Sequence, residues 1–201
     1  METNYARIAR NRLSRLFARL PIGFGSMLQA EKSGDRFYFR AFGENCCLGP
    51  DMITLSGKHI DDPRVVLISL YASHASPEPV RLEPFMSFRD LPNSMPYQGA
   101  FRANSESVLV SHVCSINDKQ QTIKDTLDGQ DGLSGYGGDL SFILFPLPKI
   151  ALCYIFYLPD EEFPASVTCL FSANALPFMP IDGLADVAEY TSKRIVQLIS
   201  E

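Results

Sequence analysis

The carboxylate run Asp160-Glu161-Glu162 could hold a cation or serve as an acid/base pair. Adjacent turn residues mostly point apart, so the plainer reading is an exposed acidic turn anchored in the core by Phe163. Cys46 and Cys47 are vicinal. On a strand neighbours face opposite sides, so the two thiolates cannot readily share one metal. His112-Val113-Cys114 supplies two potential ligands at one short spacing, far below a full site, and no CxxC occurs. His59 and His74 stand alone, and His74 at a helix end can interact with the helix dipole without a catalytic role. GxSxG is absent, so no nucleophile elbow is signalled. The residues therefore yield no catalytic group and no metal ligand. What they offer is a ligand site: Ser87, Arg89, Asp90 and Tyr97, together with Tyr136, Gly137, Gly138 and Asp139 of a glycine-rich loop. Arg89 would pair an anionic group, Tyr97 would offer a ring and a hydroxyl, and the loop amides could approach an anion. That loop precedes a strand, whereas dinucleotide loops follow one, so a flexible lid or plain loop is the competing reading.

These residues have to be positioned by a sheet. Between Gly138 and Pro180 lie three apolar runs. Leu140 to Phe145 is rich in β-branched and aromatic residues and is expected to stop at Pro146. Ile150 to Leu158 is almost wholly apolar, as befits a strand covered on both faces. Ala165 to Phe171 alternates, with Val167, Cys169 and Phe171 on one side. A five- or six-residue polar connection joins the last two runs, which reads as an antiparallel hairpin. Prolines 146, 148, 159 and 164 argue against a buried helix.

Helices flank this region. Asn4 to Leu20 places Tyr5, Ile8, Ala9, Leu13, Leu16, Phe17 and Leu20 on one stripe. Residues 26 to 51 read as a two- or three-stranded meander. Asp62 caps a helix that opens with Pro63, with Val66, Leu67, Leu70, Tyr71 and His74 as its apolar face. Pro84 to Pro92 is a short extended piece. Helix is expected from Gly99 to about Asn117, with further turns between Lys119 and Leu127. Leu127 to Asp139 holds five glycines and reads as a flexible loop. The closing helix takes Asp182 as cap, a stripe from Leu184 to Ile199, and a Glu189–Lys193 pair. The whole is an α+β chain: residues 1–20 form an amphipathic helix and 21–201 a single domain, mostly antiparallel sheet with helices packed on it.

Composition bounds the function. Net charge is −5 over 201 residues, yet the first twenty carry five arginines and one glutamate. The remainder is acidic, which argues against nucleic-acid binding. The basic helix can pack on the acidic body, lie on an anionic membrane surface, or belong to an organellar transit peptide. No run is long enough to span a membrane and no secretory signal is visible, so a cytoplasmic setting is expected, with the five cysteines reduced.

PFMSFRDLPNSMPYQGAF, Gly138-Asp139, LPKIALCYIFYLPDEEFPASVTCLF and ALPFMPIDGLADVAE occur in that order. This order resembles the prokaryotic family catalogued as domain of unknown function 3786, over roughly residues 60 to 200, with DEEFPA its most specific segment. The family pattern commonly has an Asp after LF, where this chain has Ser172. The resemblance implies a cytosolic domain of mixed α and β structure. It also implies a setting in anaerobic metabolism, near iron–sulfur or corrinoid-linked partners. It carries over no catalytic residue and no cofactor. Three functions fit: a non-enzymatic ligand-binding or accessory domain for redox or one-carbon metabolism, an enzyme acting on a small anionic metabolite through Arg89 and the 129–139 loop, or an interaction module that docks by its basic N-terminal helix.

Overall fold

The computed structural model of the chain describes residues 3–200. Helix α1 (Asn4–Phe17) opens on Thr3, whose hydroxyl accepts from the Ala6 amide at 3.2 Å. It ends three residues before the expected Leu20. Ala9 and Leu13 are buried, and Arg12 crosses to α3 (Pro63–Ser73), donating to Ser69 Oγ at 3.0 Å. A short helix, α2 (Phe24–Leu28), follows, and the rings of Phe17, Phe24 and Phe37 meet at 4.9–6.4 Å between centroids.

The expected two- or three-stranded meander is a five-stranded antiparallel sheet. Its strands are β1 (Glu31–Ser33), β2 (Arg36–Ala41), β3 (Glu44–Leu48), β4 (Ile53–Leu55) and β5 (Lys58–His59), in sequence order. Two hairpins close through two-residue turns, Phe42-Gly43 and Ser56-Gly57, with all four residues at positive φ. That conformation matches the twist of the flanking strands. The outer strands are only two or three residues long, which is why apolar periodicity alone does not reveal them. Asp62 caps α3 as expected, accepting from the Arg64 amide at 2.9 Å. The buried face of α3 is wider than the expected stripe: Val65, Ile68 and Ala72 join Leu67 and Tyr71, while Val66 and Leu70 are half-buried.

The second sheet has the order β6-β10-β9-β8-β7, all antiparallel. Its strands are β6 (Met86–Ser87), β7 (Gln130–Asp131), β8 (Leu140–Leu147), β9 (Ile150–Tyr157) and β10 (Ser166–Phe171). β9 is buried along its length save Tyr157, as its composition requires. The β9–β10 hairpin forms with Tyr157 opposite Ser166, so its connection spans eight residues, 158–165, rather than five or six. β8 does not stop at Pro146. It bulges between Leu144 and Leu147, which leaves the ring without a ladder amide to supply. The Pro146 carbonyl instead accepts from Phe42 N at 2.7 Å and joins the two sheets.

The stretch expected as one helix from Gly99 is broken. α4 (Gln98–Phe101) runs into a π-helical segment, Arg102–Ser107, then α5 (Val108–Val110), α6 (Val113–Asp118) and α7 (Gln120–Thr126). α8 (Ile181–Ser200) closes the chain; Asp182 lies inside its first turn instead of capping it. Leu184, Val187, Ala188, Ile195 and Leu198 of α8 face Phe142, Tyr154 and Phe156 across one core, which also takes in Ala9 and Leu13 of α1. The opposite face of β8 and β9 carries Ile143, Ala151, Cys153 and Ile155 under Phe85, with Tyr136 packed alongside. The result is one α+β domain. Among the described residues no helix is long and apolar enough to cross a membrane.

Candidate functional site

The site forms where β6 hooks onto the edge of β10. Ser87 lies opposite Leu170, and the chain then turns through a 3-10 segment, Phe88–Asp90. It returns through Met95–Tyr97, also 3-10, into α4. Phe88 and Phe101 stack at 4.2 Å between centroids, and Phe171 of β10 lies 5.7 Å from each. These rings hold the two arms of the turn against the sheet. Between the arms is a pocket of about 340 Å³ lined by Ser87, Arg89, Gln98, Arg102 and Glu106, with Phe88 and Phe101 as its apolar wall. That volume lies at the small end of ligand sites.

Glu106 belongs to the π-helical segment. One carboxylate oxygen accepts from the Cys169 amide at 3.0 Å, reaching an inward-facing position of β10. Burial pushes this carboxyl up from its ordinary range, opposed by the Cys169 amide and by the charge of Arg102. Behind it lies a buried polar chain. Tyr154 OH and Ser192 Oγ are 2.9 Å apart, and Ser192 Oγ donates to the Ser105 carbonyl at 2.7 Å. A side-chain donor set into the helical ladder accompanies the widened turn. π-helical turns recur at functional sites, and this one sets Arg102 and Glu106 on the wall of one pocket. Among the described residues the Ser105 and Ser172 hydroxyls are buried without a hydrogen-bond partner.

The structure divides the eight residues named from sequence. Ser87 and Arg89 line the pocket. Asp90 pairs with Arg89 at 3.5 Å, and both it and Tyr97, which is 38% exposed, lie outside the lining. The loop residues lie elsewhere. Tyr136 accepts from the Phe85 amide at 2.9 Å and packs edge-on against its ring, covering the outer sheet face. Asp139 accepts from Leu158 N at 2.7 Å and donates its amide to Phe156 O at 2.9 Å. Gly138 at φ 81° sits so close to β9 that a Cβ would come 2.6 Å from Ile155 Cγ2. Ser87 aligns through Leu170 with Cys153. Asp139, bonded to Phe156 and Leu158, lies on the far, β8 side of β9 and is offset along that strand by three to five residues, about 10–16 Å in the strand direction alone. The loop itself is pinned and not a free lid: β7 pairs with β8, and the Gly129 and Gly132 amides donate to Lys124 O and Ser141 O at 2.7 and 3.1 Å.

Gln98, Phe101, Arg102 and Glu106 were not legible as site residues. The only signal was the polar run Arg102–Ser107 inside an otherwise amphipathic stretch, with Arg102 and Glu106 four apart. The other chemical patterns resolve into structure. Asp160 Oδ1 accepts from the Glu162 and Phe163 amides at 2.8 and 2.7 Å, so it shapes the turn. Phe163 is 65% exposed and does not anchor it; the paired strand ends hold the turn instead. Cys46 is buried while Cys47 is half-buried on the opposite side of β3. His74 Nδ1 lies 2.9 Å from Leu70 O at the C-terminal end of α3. No cluster of three or more His, Cys, Asp or Glu that could hold a metal occurs among the described residues.

The family described as "Domain of unknown function (DUF3786)" matches residues 24–194. The match reaches back across the whole first sheet, beyond the 60–200 stretch whose motifs carry the resemblance. No curated protein and no solved structure gives a significant match.

Proposed function

Since the chain belongs to the DUF3786 family, whose function is unknown, we propose from the pocket itself that it is a non-enzymatic ligand-binding or accessory domain for a small metabolite bearing an anionic group. The observation that carries this reading is the joining of Arg89, Arg102 and Glu106 on one 340 Å³ pocket with two stacked rings behind them. Guanidinium groups are suited to bidentate capture of carboxylate or phosphate. The setting, cytoplasmic anaerobic redox or one-carbon metabolism beside an iron–sulfur or corrinoid-linked partner, is supported by the family resemblance alone.

Thermal-shift titration of the intact protein with a panel of small carboxylates and phosphates tests it. A ligand at a hundredfold excess over its Kd adds about 2.7 kcal/mol to stability. The expected result is a saturable rise in Tm that Arg102→Ala abolishes. A flat response to every member of the panel overturns the reading.

A second reading, an enzyme acting on a small anionic metabolite, is favoured by Glu106, a half-buried carboxyl on the pocket wall that burial pushes up from its ordinary range. Turnover lost in Glu106→Gln with ligand binding retained would decide for the enzyme. The third, docking through the N-terminal helix, is limited by α1 itself. Ala9 and Leu13 are spent on the core, so a partner would meet its arginines with Tyr5 and the half-buried Ile8 and Leu16.

A further inference from the structure

We infer that the pocket takes an α-amino carboxylate, its carboxylate held between Arg89 and Arg102 and its ammonium held by Glu106. This rests on the ligand-binding reading above and narrows it to a chemical class.

The argument starts from sign and placement of charge. A site built only for an anion needs donors; a carboxylate on its wall repels the ligand and costs affinity. Glu106 is nevertheless fixed there, with one oxygen tied to the Cys169 amide of β10. Anchored in that way, the carboxylate cannot swing clear as a surface glutamate would. Any ligand that fills the pocket is therefore presented with both signs of charge, and a molecule bearing both satisfies it. The size is consistent: about 340 Å³ admits an amino acid with its side chain, and the stacked Phe88 and Phe101 offer an apolar surface for that side chain. Arg89 is 78% exposed at the mouth, where it can close on a carboxylate, and Asp90 at 3.5 Å restrains it.

Two other cavities present charge differently, and a third, beside α1 and β4, has Arg10, Asp51 and Asp61 on its lining but no Phe or Tyr ring. The larger groove beside α1, about 570 Å³, is lined by Arg12, Arg15 and Arg19 and by no acidic side chain. In the cavity around Arg64, that guanidinium is already engaged by Asp62 at 2.7 Å and Glu44 at 2.6 Å. The turn between β6 and the π-helical segment sets two guanidinium groups and a carboxylate tethered to a strand amide around open volume.

Matched ligand pairs test the inference without relying on any variant. Isothermal titration of the intact protein would compare glutamate with glutarate, and phenylalanine with hydrocinnamate. The amino member of at least one pair should bind tenfold tighter or more. Glu106→Gln, which keeps an acceptor for the Cys169 amide, should bring that ratio close to one, weakening the amino member while the deaminated member binds as well or better. If in both pairs the deaminated member binds as tightly as its amino partner, the inference falls while the anion-binding reading stands. If neither member of either pair binds, and the wider carboxylate and phosphate panel is also silent, both fall. A ratio unchanged in Glu106→Gln removes Glu106 from ammonium recognition and overturns the assignment.

Discussion

At the scale of single residues, Glu106 is the most informative group. Its folded-state pKa is raised by burial above the ordinary 4.5. For a raised acid the folded chain holds the proton more firmly than the unfolded chain. The stabilisation is therefore fully present below 4.5 and is lost as pH rises through the folded pKa. Glu106→Gln removes this dependence. Tm followed by circular dichroism from pH 4 to pH 7 should fall more for the wild type than for the variant over that window. Parallel curves would show that the carboxyl titrates as if in water. Cys169 and Tyr154, pushed up by burial in the same region, stay protonated throughout. Ser172, standing where the family pattern commonly has Asp, is fully buried at the end of β10, where its amide donates to Ala151 O at 3.1 Å. It occupies a strand-end position under the 79–85 segment and not the pocket wall.

At the scale of elements, turns decide the first sheet. Gly43 sits at φ 78°, and a Cβ there would come within 2.2 Å of Thr126 O, backbone of the helical stretch that crosses above it. Gly43→Ala should cost at least about 1–2 kcal/mol, from the left-handed backbone alone. Gly34→Ala, with a positive φ but open space around it, should cost less. Urea unfolding with unchanged m measures both, and equal midpoints would mean that the Thr126 contact relaxes freely. The β9–β10 hairpin was readable because a long apolar strand and an alternating one flank a polar turn. The π-helical break was not. Helical periodicity over Gly99–Asn117 is compatible with a regular helix, and the widened turn is accompanied by a hydrogen bond from Ser192, 87 residues away, to the Ser105 carbonyl.

At the scale of the whole molecule, two substitutions separate what the core includes from what merely adjoins it. Leu13 of α1 is 1% exposed within the common core, so Leu13→Ala should cost about 2–5 kcal/mol despite lying outside the family match. Phe163→Ala, in the exposed hairpin turn, should change stability by no more than about 0.5 kcal/mol. Chemical denaturation of the two variants checks this. A Leu13→Ala cost below that of Phe163→Ala would mean that residues before 24 form a separable appendage.

By itself the sequence determined the α+β class, the apolar strand β9 and its hairpin with β10, the capped α3 helix and the closing helix. Each of these follows from local residue type and from hydrophobic period, which act over one element at a time. Of the residues it named for a ligand, Ser87 and Arg89 fall on one pocket lining and Asp90 and Tyr97 do not. Only the tertiary structure places Tyr136, Gly138 and Asp139 against the sheet, off that pocket's lining, and sets Arg102 and Glu106 on the lining with Arg89. Those assignments rest on contacts between residues far apart in the chain, such as Cys169 N to Glu106 and Phe85 N to Tyr136. The reason is that burial and charge at a site come from packing, and packing is a property of pairs of elements that no single stretch of sequence contains.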